Sequence, residues 1–276
     1  MKVTIVTGSR ADYGILEWPI KLLKADPFFE VEVMDIWGSD PTQAYNRISG
    51  GPDLLLVLGD RREIMGAVLA AHLKRIPIAH IGGGDVTEGS YDDAMRDAIS
   101  RMASIHFVTS TSAMARLTHM GYRNVHLVGS PGIDYIKHAD WKKGRPIEHP
   151  YCVISYQPET IDGTNEIHKV LDEIQAFPVF IMPNPDLGSD EIRRDIQRYC
   201  NEHEGRTHNY LPHSEFLNLI YHCETFIGNS SAMLYEAPQL GIKTKMIGKR
   251  QRGRVIPWGD GYASERIVKI LKYTHL

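Results

Sequence analysis

The chain has 276 residues, of which 42% are hydrophobic and 24% charged, and its formal net charge is -3. This length allows one or two domains with substantial cores, and the composition is ordinary for a soluble globular protein. The weak negative charge gives no reason to expect nucleic acid or an anionic membrane surface as the main partner.

The sequence carries no signal of a membrane span, of secretion or of a metal site. Its first residues lead directly into a strand and not into a signal peptide, and no apolar run has the length of a transmembrane helix. The cysteines, Cys152, Cys200 and Cys223, are odd in number and lack metal-ligand spacing. We therefore expect a cytoplasmic protein with reduced thiols, no metal and no cofactor.

Strands and helices alternate in the first half of the chain. A strand at 3–7 leads into the glycine-containing turn 8–14, and apolar spacing then predicts a helix to about residue 24. The segment 38–52 is predicted to be a polar connection, and 129–132 a turn. The other predicted strands are 31–36, 54–58, 78–81, 106–109 and 125–128, and the other predicted helices are 64–73, one starting near 92, and 112–120.

The second half repeats this alternation after a polar, charged segment at 137–150, which is the predicted domain boundary. The predicted strands are 151–155, 179–182, 225–227 and 243–247, and the predicted helices are 164–175, 189–203, 214–222, 231–240 and 264–273. The pattern predicts an α/β fold with two doubly wound Rossmann-like domains, 1–140 and 150–276, that face each other across a cleft.

Charged residues collect after two successive strands of the first half. They are Asp60, Arg61, Asp85, Asp92, Asp93 and Arg96. In an open α/β sheet, ligands bind at the C-terminal edge of the strands. A single aspartate at such a position is more often a helix cap. Four acids flanked by arginines at one edge favour a functional site.

Two turns and a basic run are candidates for binding phosphate. Arg10 follows the first strand, where its guanidinium could grip a phosphate or simply pair with Asp12. Ser230 and Ser231 could hold a diphosphate, although Ser231 alone would more often be an N-cap. Glu236 could accept hydrogen bonds from a ribose diol. The basic run at 249–254, which includes Arg250, could clamp phosphate or be solvated.

Six motifs follow one another along nearly the whole chain. They are TGSRADYG at 7–14, LGDR at 58–61, HIGGGDVTEGSYDDAMRDAISRMA at 80–103, PNPDLGS at 183–189, IGNSSAMLYEAP at 227–238 and GKRQRGR at 248–254. With these motifs in this order, the sequence resembles the UDP-N-acetylglucosamine 2-epimerases, and among them the hydrolysing branch of sialic acid and surface polysaccharide biosynthesis.

The resemblance implies a GT-B-like fold that binds a UDP-sugar between its domains. The family eliminates UDP across C1 and C2 to give a 2-acetamidoglucal, and its hydrolysing branch adds water to release N-acetylmannosamine and UDP. The residues are compatible with this, because removal of the C2 proton needs a carboxylate base and departure of UDP needs cations at the diphosphate. The resemblance also implies a homo-oligomer, a dimer.

The resemblance assigns roles to individual residues. Asp60 corresponds to the catalytic aspartate of the family, Asp85 stands where the family has a glutamate, and Asp92 matches the aspartate of the second motif. The implied substrate-binding residues are Arg10, Arg61, Asp93, Arg96, Asn184, Ser230, Ser231, Glu236 and Arg250.

Two departures from the family pattern bear on function. Gln157 takes the place of a catalytic histidine, and a glutamine side chain can form hydrogen bonds but cannot transfer a proton at neutral pH. The chain is also shorter than usual members, mainly between the second strand and Leu54, in a segment that helps cover the site and form subunit contacts. The alternatives are therefore a UDP-sugar glycosyltransferase of the same fold, or a nucleotide-sugar-binding protein with altered or lost catalysis.

Overall fold

The computed structural model describes residues 1–48, 51–88, 92–159, 161 and 163–274. The chain forms two compact units. The first comprises Met1–Val86, Asp92–Ala139 and Val255–Leu276, and the second comprises Thr87–Tyr91 and Asp140–Arg254. No helix in the described ranges is both long enough and apolar enough to span a membrane.

The first unit is built on a parallel sheet with the strand order β2-β1-β3-β4-β5-β6. The strands are β1 (Lys2–Thr7), β2 (Glu30–Asp35), β3 (Leu54–Leu58), β4 (Ile78–Ile81), β5 (Ile105–Val108) and β6 (Val125–Leu127). The helices are α1 (Arg10–Ala25), α2 (Pro41–Arg47), α3 (Arg62–Leu73), α4 (Asp92–Met102), α5 (Thr111–His119), α6 (Pro131–His138) and, at the end of the chain, α11 (Ala263–Tyr273).

The central strand β3 explains why this sheet carries helices on both faces. Alternate side chains of its apolar run enter two separate cores. Leu54 and Leu56 pack in one core, and Leu55 and Val57 in the other. A strand buried on both faces needs such a continuous apolar run.

The strand order places a topological switch point between β1 and β3, because the chain runs from β1 outward to β2 and then returns to β3 on the other side. Ligands of doubly wound sheets bind at this point, outside the carboxyl ends of the strands. Arg10, the first residue of α1, follows β1 after a short turn, and Asp60 lies in the turn that follows β3.

The second unit has its own parallel sheet, with the order β11-β10-β7-β8-β9. Its strands are β7 (Tyr151–Ser155), β8 (Phe177–Ile181), β9 (Arg206–His208), β10 (Thr225–Gly228) and β11 (Thr244–Met246). Its helices are α7 (Ile167–Leu171), α8 (Ser189–Glu202), α9 (His213–Tyr221) and α10 (Glu236–Leu240), with a short 3-10 helix at Ser231–Met233. The switch point lies between β7 and β10.

The turn predicted at 8–14 ends earlier than expected, since α1 already begins at Arg10. Two further segments of the first unit that we predicted to be irregular are helical. In the supposed polar connection, Asp40 and Gln43 form a reciprocal capping box and Pro41 opens α2. In the supposed turn at 129–132, Pro131 opens α6. In both cases a proline that suggested a turn occupies the first helical position, where its missing N–H costs nothing.

The predicted helices and strands of the second unit also need correction. The helix predicted at 164–175 is only α7, and β9 was not predicted at all. The helix predicted at 231–240 is interrupted, since α10 begins only at Glu236. A continuous helix would place Pro238 in its interior, where it removes a hydrogen bond and clashes with the preceding turn, whereas the first turn of α10 tolerates it.

The C-terminal helix α11 belongs to the first unit, although the sequence analysis placed 150–276 in one domain. Ile267 and Leu271 of α11 are fully buried in the same core as Val3 and Leu54. The apolar stripe of this helix therefore packs on the first sheet, and the second unit ends near Arg254.

Candidate active site

A buried arginine connects the acids predicted at the edge of the first sheet. Arg96 of α4 is only 1% exposed. Its guanidinium forms ion pairs with the carboxylates of Asp60, which follows β3, and Asp93, which lies one turn earlier in α4. It also donates a hydrogen bond to the backbone carbonyl of Asp85 at 2.7 Å. The structure thus brings three of the predicted site residues onto one cation.

The charge of Arg96 is fixed by these neighbours. Burial alone would lower the pKa of this guanidinium, but the carboxylates of Asp60 and Asp93 outweigh burial and raise it. A permanently charged group therefore lies beside the Asp60 carboxylate. Because a buried charge without partners is very costly, the burial of Arg96 depends on these acids.

His80 of β4 holds the loop that carries Gly59 and Asp60. Its Nε2 donates to the carbonyl of Gly59 at 2.8 Å, and its Nδ1 accepts from the hydroxyl of Ser100 at 3.0 Å. Burial lowers the pKa of His80 to about 4, so the ring is neutral and this tautomer fits both contacts. His80 joins the residue before Asp60 to the helix that carries Arg96, and sequence reasoning missed it although it opens the third motif.

The other two acids of this edge have different surroundings. The carboxylate of Asp85 accepts a hydrogen bond from Thr109 Oγ1, at 3.2 and 3.3 Å to its two oxygens. Asp92 is the first residue of α4 and is half-buried. Both lie at the C-terminal edge of the first sheet, as the sequence predicted, and their catalytic roles stay predictions.

The turn after β1 packs directly against the turn after β3. A Cβ atom on Gly8 would lie 3.2 Å from both the Arg61 Cδ and an Asp12 carboxylate oxygen, and 3.0 Å from Ile64, so glycine permits this close approach. Ser9 caps α1, and its hydroxyl accepts the N–H of Asp12 at 3.1 Å. Arg10 is exposed, and its guanidinium carbon lies 5.5 Å from the centre of the Trp37 ring.

At the edge of the second sheet, Gln157 is held by two asparagines. Its backbone N–H donates to the Asn229 side chain at 2.6 Å, and the Asn229 amide donates back to the Gln157 carbonyl at 2.9 Å. The Gln157 side-chain oxygen accepts the backbone N–H of Asn184 at 2.9 Å. Two predicted residues, Gln157 and Asn184, are therefore linked, and the fully buried Asn229 that orients Gln157 was missed within the GNSS motif.

A glycine is required where β10 pairs with β7. Gly228, with φ of +135°, approaches β7 so closely that a Cβ atom would lie 2.1 Å from the carbonyl oxygen of Ser155. Any other residue would separate β10 from β7 and disturb the contact between Asn229 and Gln157.

The remaining predicted residues follow β10. Ser230, and not Ser231, is the N-cap, because its hydroxyl accepts the N–H of Ala232 at 3.3 Å. Ser231 is the first residue of the 3-10 helix. Glu236 is 8% exposed, and its carboxylate lies 3.8 Å from the Nε2 of His213, a residue that the sequence analysis did not select.

Arg250 lies among acceptors of the second unit. Its guanidinium donates to the carbonyl of Pro158 and lies 3.7 Å from the carboxylate of Asp186. The loop that carries Lys249 and Arg250 is fixed by Glu159, which is 3% exposed and whose carboxylate accepts the N–H of Lys249 at 2.6 Å. Because the Asp186 carboxylate lies beside Arg250, a phosphate would compete with it for the Arg250 guanidinium.

Over the ranges that the structure covers, no group of three or more histidine, cysteine, aspartate or glutamate side chains is arranged to hold a metal ion. The described site offers arginines, carboxylates and hydroxyls. These groups suit an anionic substrate and proton abstraction.

Comparison with known proteins gives one family. A family model described as UDP-N-acetylglucosamine 2-epimerase matches residues 47–256. Polysialic acid biosynthesis protein P7 of Escherichia coli is 29% identical over 92% of this chain and 80% of its own length. The hydrolyzing UDP-N,N'-diacetylbacillosamine 2-epimerase of Legionella pneumophila is 27% identical over 92% of this chain and 82% of its own. The UDP-N-acetylglucosamine 2-epimerase of Neisseria meningitidis is 25% identical over 92% and 81%.

Solved structures share the fold. The crystal structure of UDP-GlcNAc 2-epimerase from Neisseria meningitidis bound to UDP-GlcNAc has a TM-score of 0.79 and 17% identity, over 99% of this chain and 100% of that one. The enzyme from Methanocaldococcus jannaschii, in complex with UDP-GlcNAc and UDP, has the same TM-score at 15% identity and the same coverage. These likenesses and the two parallel-sheet units confirm the predicted GT-B-like α/β fold class.

Proposed function

Because this chain belongs to the UDP-N-acetylglucosamine 2-epimerase family, we propose that it is an epimerase of the hydrolysing type, which converts UDP-GlcNAc or a related UDP-HexNAc to an N-acetylmannosamine-type sugar and UDP. The observation that carries the proposal is the placement of Asp60 and Arg61 at the switch point of the first sheet, with Arg96 buried beside Asp60. Relatives named as hydrolyzing, in Legionella pneumophila and Campylobacter jejuni, support the hydrolysing type.

In the proposed reaction, Asp60 is the base. Its carboxylate takes the proton from C2 of the sugar, the C1–O bond to UDP breaks with its electron pair on the phosphate oxygen, and a C1–C2 double bond forms. Water then adds its oxygen to C1 and a proton to C2. The cation of Arg96 keeps Asp60 oriented, and Asp85 and Asp92 are the other acids available for proton transfer.

The second unit supplies groups suited to the UDP moiety. Ser230 and Ser231 with Arg250 suit the diphosphate, since hydroxyls and guanidinium groups are good donors to phosphate oxygens. Glu236 suits the ribose diol, and the side chain of Asn184 suits a sugar substituent. Two further expectations from the sequence, a homodimer and a cytoplasmic location, stay predictions.

One incubation separates this function from its alternatives. The protein is mixed with UDP-GlcNAc, without an acceptor, in deuterated or heavy-oxygen water, and the products are followed by NMR and mass spectrometry. We expect free UDP and a free sugar with deuterium at C2 and heavy oxygen at C1. A non-hydrolysing epimerase would give a deuterated UDP-sugar without heavy oxygen at C1. A glycosyltransferase would give little product, and a binding protein would show affinity alone.

Arg250→Ala is expected to weaken UDP binding by about 1.5–3 kcal/mol, the range for a hydrogen bond to a charged group. Isothermal titration calorimetry with UDP measures this directly. Asp186→Asn provides the matched opposite change, because it removes the carboxylate that competes for the Arg250 guanidinium. This variant should bind UDP more tightly than the wild type. Unchanged affinity in both variants would show that Arg250 does not bind the diphosphate.

Gln157→His is expected to raise kcat about tenfold or more, if the wild-type enzyme turns over slowly for lack of an acid at this position. The histidine Nδ1 can accept the Asn184 N–H that Gln157 now accepts. The two hydrogen bonds between the Asn229 side chain and the backbone of residue 157 do not involve the substituted side chain and are retained. The kcat–pH profile of the variant should show a new group titrating near pKa ~6.5.

Gln157→Met is the control for this prediction, since it removes the hydrogen bond without supplying an acid. A fast wild type that Gln157→His slows would mean that the site is adapted to glutamine. Identical turnover and pH profiles in all three proteins would exclude residue 157 from proton transfer.

A further inference from the structure

Trp37 is an aromatic residue to which the proposed reaction gives no role. It lies two residues after the end of β2, at the C-terminal edge of the first sheet, and is 38% exposed. Because β2 pairs with β1, Trp37 is next to the turn that leads to Arg10. A single exposed aromatic residue is ordinary on a protein surface and is not evidence of function by itself. The contacts of Trp37 set it apart from such a residue.

The indole ring is held in one orientation by a buried threonine. The Nε1–H of Trp37 donates to Thr7 Oγ1 at 3.1 Å, and the Thr7 hydroxyl donates to the carboxylate of Asp35. An indole N–H can only donate and a carboxylate can only accept, so both hydrogen bonds of the hydroxyl have a fixed direction. Thr7 is fully buried and pairs in register with Asp35 across β1 and β2. The pairing of these two strands therefore sets the orientation of the indole.

Two side chains of α1 lie against this ring. The guanidinium carbon of Arg10 lies over it, 5.5 Å from the ring centre, within the range of a cation–π interaction. The ring of Tyr13 meets it edge to face, with the two centres 6.4 Å apart. Arg10 and Tyr13 are three positions apart and so share one face of α1. Arg10 is exposed, and a long exposed side chain samples many rotamers unless its neighbours restrict it.

We propose that Trp37 is a positioning residue of the candidate active site, whose ring holds the Arg10 guanidinium through a cation–π interaction at the end of β1, where Arg10 binds the diphosphate of the UDP-sugar. The inference rests on the proposed function, because it takes Arg10 as a substrate-binding residue. A cation–π interaction needs the charge of the guanidinium but not all five of its N–H donors, so donors stay available to phosphate oxygens. A guanidinium that is already held also loses less conformational entropy when the phosphate binds.

A double-mutant cycle between Trp37 and Arg10 tests the proposal, with UDP affinity measured by isothermal titration calorimetry. Trp37→Leu should weaken UDP binding about two- to fivefold, as expected for the loss of a cation–π interaction at an exposed site. Arg10→Met should weaken it about tenfold or more, because a charged donor to the diphosphate is lost. In the Arg10→Met background, Trp37→Leu should have no further effect, since the ring has lost the group through which it acts.

Two further variants separate positioning from a structural role. Trp37→Phe keeps an aromatic ring but loses the hydrogen bond to Thr7, and its UDP affinity should lie between those of the wild type and Trp37→Leu. Trp18→Leu is the matched control, because it removes another ring of the first unit that has a cation over it, here Lys21 Nζ at 4.3 Å. It should bind UDP as the wild type does. With UDP-GlcNAc as substrate, Trp37→Leu should raise KM more than it lowers kcat.

Two results would overturn the proposal. One is a loss of UDP affinity in Trp37→Leu that persists undiminished in the Arg10→Met background, which would show that Trp37 does not act through Arg10. The other is unchanged UDP affinity in either single variant. If Trp37→Leu does not fold, Trp37→Phe completes the cycle in its place.

The same cycle distinguishes failure of this inference from failure of the proposed function. A wild type that binds UDP but releases none from UDP-GlcNAc would contradict the proposed function, and UDP affinity across the cycle would still decide the role of Trp37. A wild type that does not bind UDP would overturn both.

Discussion

Asp60→Asn is expected to lower kcat about a hundredfold or more, while the protein stays folded and still binds UDP. The substitution removes the basic oxygen that takes the C2 proton. It keeps an amide oxygen that can accept from Arg96, so the buried guanidinium retains a partner at this position. Activity should therefore be lost without the instability that an unpaired buried charge would cause.

Steady-state UDP release, calorimetric UDP binding and thermal melting together test this expectation. The variant should also stop incorporating solvent deuterium at C2, which separates loss of the base from slow product release. Asp97→Asn is the matched control, since it makes the same change in α4, where Asp97 pairs with Arg116 at 2.8 Å. An Asp60→Asn variant with near wild-type turnover would remove Asp60 from the mechanism.

Except for β9, the strands of the two sheets could be predicted from the sequence because their signal is local. Continuous apolar runs such as 54–58 require burial on both faces, and the helices between them follow from apolar spacing. The side on which α11 packs could not be predicted in this way. Its apolar stripe shows that the helix is amphipathic but does not indicate which of two sheets it covers.

The helix boundaries that were wrong depend on the exact position of a proline. Pro41 and Pro131 open helices, and Pro238 prevents one from continuing. The capping box of Asp40 and Gln43 was present in the sequence and would have identified α2.

In the candidate site, residue types could be predicted but not their pairings. Arg96 was selected as a neighbour of the acids, yet its ion pair with Asp60 joins residues that are 36 positions apart. That contact depends on β4 lying beside β3, which brings α4 to the end of β3. Similarly, the hydrogen bonds between Asn229 and Gln157 depend on β10 pairing with β7. Such positioning residues become visible only when the strand order is known.

Arg96→Met is expected to destabilise the first unit by about 3–5 kcal/mol, the usual cost of removing one partner from a buried ion pair. The methionine fills most of the space but removes the cation that Arg96 provides to the carboxylates of Asp60 and Asp93. It also leaves the carbonyl of Asp85 without this donor. Urea unfolding of the variant and of the wild type measures the difference.

Arg96→Lys is the control that separates the effect of the positive charge from the effect of the guanidinium geometry. A lysine keeps the positive charge but has a single ammonium group in place of the planar fork that binds Asp60, Asp93 and the Asp85 carbonyl together. It should recover part of the stability and little of the activity, because Asp60 would no longer be oriented. If Arg96→Met unfolds within about 1 kcal/mol of the wild type at neutral pH, the network contributes no more than a surface ion pair does, and Asp60 must be positioned by the loop that His80 supports.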